Sequence, residues 1–495
     1  MVRVLGVSAS LRNARYGRGS SSLCSDLNAI SDLPALRSYL SAQVKARADD
    51  YLEAGRAAGL SFDEIYRNLR RIGNDRGLSN SEAVLAAGLW GAKSEGAQIA
   101  HVGLAQYFPA SGAERGREEL RETILASDAI VLSGPVYFGD RGSLAQEFIE
   151  FLRADKQCAE HLRGRVYGGI AVGAKRNGGQ ETTLIYQLVD MTNLNMLAVG
   201  NDAATTSQYG GTAVAGDVGT VAKDDEGIAT SVGTGRRVAR IAKTLANGRS
   251  SAPKKRVRIA LWLLQDSESR GRQLLEQFVR DMRDDGAAAD FEISDFSEEE
   301  ILRCIACDIC PTDVGARDEY RCIISNERDL FAKRHRELLG ADGVLLCAYS
   351  PVSRKHTKSR YQRFIERTRY LRRDDYVFAN ALTAPFVISE VDSNQNLHIR
   401  MLTSFLRQLT VLHHPIIGVE WEGRVLNWAT VLRLGKSFVD NAITLATGLA
   451  LDTEATPAPE NAYQPVGYKI SSTKVAGDRE IGRTRRALEE SKEQA

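Results

Sequence analysis

The chain has 495 residues, 43% hydrophobic and 26% charged, with a formal net charge of +2. That length exceeds one ordinary core and predicts two or three domains. The near-zero charge gives no overall field toward nucleic acid or a membrane, and no uncharged apolar stretch approaches the roughly 20 residues of a membrane helix.

Taken along the chain, short apolar runs alternate with helical patterns. In residues 1–245 strands are expected at 2–7, 99–103, 129–133, 168–172 and 195–199. Between the first two lies an extra helical block, about 31–95. Pro34 opens a helix that runs to about Gly59. Ser61-Phe-Asp-Glu64 and Ser79-Asn-Ser-Glu82 both read as capping boxes, which makes three helices. The block is either a surface ornament or dimer face, or a lid, since it leaves the sheet right after the first strand's loop. Residues 246–256, Ala246-Asn-Gly-Arg-Ser-Ser-Ala-Pro-Lys-Lys-Arg256, read as a polar linker. A second half, 257–451, repeats the alternation, with strands near 257–263, 291–294, 343–347, 386–390 and 415–419. The tail, 452–495, is polar and then heavily charged, with one exposed helix expected over 481–491.

The two halves resemble one another. Ala126-Ser-Asp128-Ala-Ile-Val-Leu-Ser-Gly-Pro135-Val matches Gly340-Ala-Asp342-Gly-Val-Leu-Leu-Cys-Ala-Tyr-Ser-Pro351-Val, and Phe148-Ile-Glu matches Phe364-Ile-Glu. Each half thus predicts an α/β unit, a doubly wound parallel sheet of five strands in the order 2-1-3-4-5. Ligands of such sheets lie beyond the carboxyl ends of the strands.

Three loops of the first half fall there. The first strand ends Gly6-Val-Ser8-Ala-Ser10-Leu-Arg12, followed by Ser20-Ser21-Ser22. Hydroxyls, one Arg and a helix start suit a terminal phosphate. After the third strand comes Ser133-Gly-Pro135-Val136-Tyr137-Phe138-Gly139. Pro135 stiffens a loop whose two aromatics can stack on a planar ring. After the fourth comes Gly173-Ala-Lys-Arg176-Asn177-Gly178-Gly179-Gln-Glu-Thr182, where glycines admit close backbone approach and Arg176 offers positive charge.

The loops G-x-S-x-S-x-R, S-G-P-V-Y-F-G and G-A-K-R-N-G-G, each after its strand, resemble the NADPH- or NADH-dependent FMN reductase family. The whole chain resembles the iron–sulfur flavoproteins within that family. The resemblance implies a flavodoxin-like fold and FMN as cofactor. It assigns the FMN to Ser8, Ser10, Arg12, Ser20 to Ser22, Pro135, Val136, Tyr137, Phe138, Gly139, Gly173, Arg176, Asn177, Gly178 and Gly179. It also implies NAD(P)H as a donor and a homo-oligomer. No G-x-G-x-x-G dinucleotide fingerprint is present.

Cys304-Ile-Ala-Cys307-Asp-Ile-Cys310 and Cys322 place four of the seven cysteines in one stretch of the second half. Thiolates at that spacing suit an iron–sulfur cluster or zinc. Unmetallated thiols are the third reading. The resembling flavoproteins carry a compact Cys motif with a [4Fe–4S] cluster in the comparable place, whereas Pro311 to Arg321 lengthen the last spacing here. Cys24, Cys158 and Cys347 read as ordinary buried thiols, and His413-His414 as structural. The second half's first loop, Asp266-Ser-Glu268-Ser-Arg270, sets acids where a phosphate would sit, and its third lacks the glycines. A single FMN per chain is therefore expected, in the first half.

The sequence reading is a cytoplasmic FMN-dependent oxidoreductase. It takes electrons from NAD(P)H or a ferredoxin-like donor to an unidentified acceptor, with the cluster as a conceivable relay. Seven cysteines without a regular framework and a short apolar N-terminal run fit that compartment. The alternatives are a non-catalytic flavin-binding module or a zinc-stabilised interaction protein.

Overall fold

The computed structural model describes the chain except residues 11–20, 68–76, 110–115, 206, 307–319, 321, 354–359, 373–375, 394–395 and 453–495. In the first half the strands are β1 (Arg3–Ser8), β2 (Gln98–Gly103), β3 (Ala129–Tyr137), β4 (Asp140–Arg141), β5 (Val166–Gly173), β6 (Leu197–Ala198) and β7 (Gly211–Val214). The helices are α1 (Ser21–Ala29), α2 (Leu33–Ala57), α3 (Phe62–Arg67), α4 (Asn80–Ser94), α5 (Arg117–Leu125), α6 (Ser143–Ala154), α7 (Lys156–His161), α8 (Gln180–Asn193) and α9 (Asp225–Ser250). The second half adds β8 (Val257–Gln265), β9 (Ala289–Asp295), β10 (Gly343–Ser350), β11 (Leu382–Glu390), β12 (Val411–Leu412), β13 (Ile416–Trp421) and β14 (Arg424–Val425). Its helices are α10 (Arg270–Asp284), α11 (Leu330–Arg334), α12 (Arg360–Arg367), α13 (Arg369–Arg372), α14 (Leu397–Leu406) and α15 (Trp428–Leu451).

The strands run β2-β1-β3-β5-β6 and β12-β11-β10-β8-β9, parallel within each half. The order 2-1-3-4-5 thus occurs twice, as the sequence predicts. Runs such as Val-Tyr-Gly-Gly-Ile-Ala-Val-Gly in β5 are buried throughout, as a parallel strand covered on both faces must be. The repeat anchors have a physical basis. The Asp128 carboxylate accepts the Arg3 amide at 3.0 Å, and Asp342 accepts the Arg258 amide at 2.9 Å, each pinning the third strand to the first. Phe148 and Phe364 are fully buried in the two halves.

Three features differ from expectation. The two sheets are one: β6 and β12 pair antiparallel at Ala198 and Leu412. This follows from a split fifth strand. β6 covers the start of β5 and β7 its end, which leaves the outer edge of β6 open to β12. The helix α9 runs to Ser250, so only the last residues of the expected linker lie outside a helix. It crosses α15 where Gly248 faces the Thr444 carbonyl and Gly448 faces the Thr244 carbonyl, with no room for a Cβ at either. Buried Arg237 completes the joint by donating to the Asn380 side chain and the Leu409 carbonyl.

The third difference concerns the helical block. Its helices α2, α3 and α4 are present. The Ser61 box is complete: Glu64 accepts the Ser61 amide at 2.9 Å, and Ser61 Oγ accepts the Glu64 amide. The second box is half formed, because Ser79 accepts the Glu82 amide at 3.3 Å while the Glu82 carboxylate turns inward toward His101 Nε2, 3.4 Å away. Twelve consecutive residues of α4, Ser81 to Ala92, are buried against the sheet and α9. The helix α4 is therefore part of the core, and only the chain before it is extra. No described helix is long and apolar enough to cross a membrane.

Candidate functional site

The carboxyl ends of β1, β3 and β5 gather the first-half loops. Ser8 ends β1 and Ser10 follows it, both buried, and the Ala9 amide donates to the Ser133 carbonyl at 2.8 Å. Arg12 and Ser20 lie outside the described residues. Ser21 and Ser22 open α1, and their side chains are likewise outside the description. Pro135 and Val136 continue β3 beside β5 and β4. Tyr137 pairs with Asp140 across a two-residue turn in which Phe138 (φ 52°) and Gly139 (φ 80°) are both left-handed. That is the type I′ pattern. A bulky residue held there costs about 1–2 kcal/mol, yet Phe138 is fully exposed at the tip.

The loop after β5 closes on the same turn. A Cβ on Gly179 would stand 2.8 Å from the Gly139 Cα, so the second and third loops touch glycine to glycine. Gly173 is packed by Gln180, whose Nε2 donates to the Lys175 and Ala213 carbonyls while its buried Oε1 has no partner. Asn177 is left-handed at φ 59°, and residues 174–178 are exposed. Arg176 turns away along β7 to Asp224 and to the Thr212 carbonyl.

Sequence reasoning missed one component, the N-terminus of α4. Ser133 Oγ donates to the Ser81 carbonyl at 2.8 Å, which sets the first turn of α4 against the end of β3, beside Ser8. The first amides of a helix have no intrahelical acceptor and favour an anion. Asn80 ties this turn to a further segment, donating to the Asp217 carbonyl at 2.8 Å and accepting the Val221 amide at 3.3 Å. The signal is present in Ser79-Asn80-Ser81, which in sequence reads only as a cap.

These residues fit a flavin mononucleotide. A helix start lies beside buried Ser8, and an unpartnered buried Gln180 Oε1 lies under the glycine loop. An exposed aromatic turn stands over open space at Gly139, where an added Cβ would meet nothing within 4 Å.

The second-half cleft has the same frame with other contents. The Asp266 carboxylate accepts the amides of Ser267 (2.7 Å), Gly271 (2.6 Å) and Arg272 (3.1 Å), so it takes up the start of α10. Burial raises its pKa, and the three amides oppose that rise. Arg270 donates to Glu420 at 2.8 Å and to the Gly423 carbonyl at 2.7 Å. Glu390 accepts Tyr349 Oη at 3.0 Å and the Val352 amide at 2.7 Å.

Of the cysteine cluster, Cys304 and Cys322 are described, and Cys307 and Cys310 lie outside the described residues. Among the described residues no group of metal-ligating side chains is assembled. Both ends of the segment converge on buried Arg367. It donates to the Leu302 carbonyl at 3.2 Å and to Tyr320 Oη at 2.6 Å, each two residues before a cysteine, and pairs with buried Asp329 at 2.7 Å. Cys304 lines a cavity of about 550 Å³ with Arg303, Arg363, Glu366 and Arg369. Cys158 and Cys347 are buried, and Cys24 is half-buried.

The segment follows β9, seven strand positions from β3. Because β6 and β12 are antiparallel, the carboxyl ends of the two halves' parallel strands also face opposite ways.

Strand order and loop placement define a flavodoxin-like α/β protein. Residues 72–210 match the family described as NADPH-dependent FMN reductase, a match that begins just ahead of α4. The resemblance read from the motifs is thereby borne out, over residues 72–210. An iron–sulfur flavoprotein of Methanocaldococcus jannaschii is 35% identical over 128 residues, 26% of this chain and 65% of that one. An iron–sulfur flavoprotein of Archaeoglobus fulgidus is 28% identical over 134 residues, 26% of this chain and 67% of that one. The chain thus spans just under two thirds of the first relative's length. A flavodoxin, WrbA-like protein from Agrobacterium tumefaciens aligns at 15% identity over 49% of this chain and 98% of that one, with a TM-score of 0.26, too loose a likeness to carry an argument.

Proposed function

We propose that the chain is an FMN-dependent oxidoreductase whose cofactor is held by the first half alone. The observation that carries this is the start of α4 set against Ser8 and the end of β3, with the glycine-lined loops of β3 and β5 beside it. The phosphate is assigned to the first-turn amides of α4 with Ser8 and Ser10. The ring is assigned to the loop Pro135, Val136, Tyr137, Phe138 and Gly139 on one side and Gly173 to Gly179 on the other. Bound FMN supplies hydride and single-electron transfer. The protein binds and orients it, and Phe138 leaves one approach open to a donor such as NAD(P)H.

The cysteine segment is proposed as a separate electron or metal site. Cys304 lies beside Arg303, Arg363 and Arg369, and four cysteines at this sequence spacing suit a [4Fe–4S] cluster. Because the segment lies in the second half, whose parallel strands end on the opposite side from those of the first, a cluster held there would supply single-electron exchange with a partner.

The test is anaerobic titration of FMN-saturated protein with NADPH and NADH. Bleaching of the visible flavin band with matched cofactor oxidation is expected. Protein that binds FMN but cannot be reduced by either nicotinamide leaves a binding module or a protein-donor enzyme.

A further inference from the structure

Arg176 is the cation of the glycine loop, yet its charge is not free. Its side chain is 41% exposed and its Nη2 is paired with the Asp224 carboxylate, itself only 10% exposed. Glu226 stands 3.9 Å off on the solvent side. The Asp224 position is built. Its second oxygen accepts the Val214 amide at 2.6 Å, and Gly227 leaves room for the carboxylate where a Cβ would collide with it. The guanidinium is held on its other arm by the Thr212 carbonyl at 3.3 Å.

The segment carrying Asp224 is tied in turn to the phosphate end of the cleft. Asn80 of α4 grips Asp217 and Val221. A continuous strap therefore runs from the α4 start, through 217–224, to Arg176.

Resting on the FMN reading above, we infer that Asp224 is a positioning residue that holds Arg176 along β7 and offsets its charge at the flavin, and so tunes how readily the flavin is reduced. Reduction adds negative charge to the flavin's pyrimidine side. A lone guanidinium nearby favours the reduced form, and a guanidinium paired with a carboxylate favours it much less. Asp224 thus holds the flavin's potential below the value that Arg176 alone would give.

The experiment is spectroelectrochemical titration of the FMN-loaded full chain carrying Asp224→Asn, Arg176→Gln, or both. Asn keeps an acceptor for the Val214 amide, removes the charge and replaces the oxygen that faces Arg176 by an NH2 group. In D224N the ratio of reduced to oxidised FMN affinity is expected to rise about tenfold, which is about 30 mV more positive for a two-electron couple. Arg176→Gln is expected to move the potential the other way, and the double variant to match R176Q. A D224N potential equal to wild type overturns the assignment. So does an equal shift in the R176Q background, because Asp224 then acts without Arg176. If D224N fails to fold, an unmoved potential in R176Q is sufficient to overturn it. A wild-type chain that retains no FMN at saturation overturns the cleft reading itself, an outcome distinct from these.

Discussion

In the first half, β1 ends at buried Ser8, buried Ser10 follows it, and the chain returns through α4, whose first turn meets the end of β3. In the second half, β8 runs straight into Asp266, whose carboxylate takes three amides at the start of α10. The frames agree down to the aspartate that clips the third strand to the first. The difference shows what the frame requires. Strand clips, buried aromatics and parallel order hold the fold in both halves, and the carboxyl-end loops are left free to hold a ligand or to be filled from within.

The largest consequence is stoichiometric. One FMN per chain is expected after saturation, measured as flavin released on denaturation divided by protein. A ratio near two would break the comparison outright, since a phosphate dianion would then have displaced Asp266.

Next in size is an effect confined to the second half. By the internal repeat Arg367 takes the place of Phe151, both buried. Arg367→Met leaves Asp329 without its cation in the interior, expected to cost about 3–5 kcal/mol. Phe151→Leu, which only trims an apolar contact, should cost about 1 kcal/mol. Urea unfolding of both variants measures the contrast. Equal losses would mean that Arg367 matters as volume and not as the ionic tie for the cysteine segment.

The frame was legible in the sequence because its signals are local. Alternating apolar runs gave the strand order, and Asp128/Asp342 with Phe148/Phe364 gave the duplication. The joint was not legible. Two-residue strands such as β6 and β12 carry no periodicity, and the helix crossing at Gly248 and Gly448 shows only when opposed carbonyls are in view. The start of α4 was hidden for another reason. About seventy residues of extra chain separate it from β1, so Ser79-Asn80-Ser81 read as a cap while the serines nearest β1 in sequence drew the assignment. Burial of α4 on every side, its meaning in the fold, belongs to packing that a single helix does not reveal.

The joint also separates the halves in acid. Beyond β6 the chain places Val199, whose amide donates to the Tyr167 carbonyl. Beyond β12 it places His413, whose amide donates to the Thr383 carbonyl in the same manner. The His413 ring is buried between the His414 carbonyl and Ser437, and burial pushes its pKa down to about 4. The unfolded chain binds that proton near the ordinary value of about 6.5, so the unfolded state holds more protons as pH falls. Stability is therefore full above about 6.5 and is lost down to about 4, by at most about 3 kcal/mol. His413→Val, which copies the first half, should flatten that part of the pH profile in chemical denaturation. An unchanged profile would show that His413 is not the acid-sensitive element of the joint.

The smallest effect tests what Asp266 stands for. Its three amide bonds are charge-assisted, but burial of the carboxylate works against them, which keeps the net contribution modest. Asp266→Ala is expected to cost about 1–2 kcal/mol in phosphate-free buffer, since it leaves three amides at the start of α10 without an acceptor. If Asp266 fills the place of a phosphate, inorganic phosphate should restore part of the lost melting temperature in the variant and leave the wild type unmoved. Nearby Arg270 is engaged with Glu420 and Gly423 and is not free to fill the gap from the protein side. A variant indifferent to phosphate would mean that the α10 start needs a carboxylate of fixed geometry, so that the second half differs from the first in the shape of its loop as well as in its occupant.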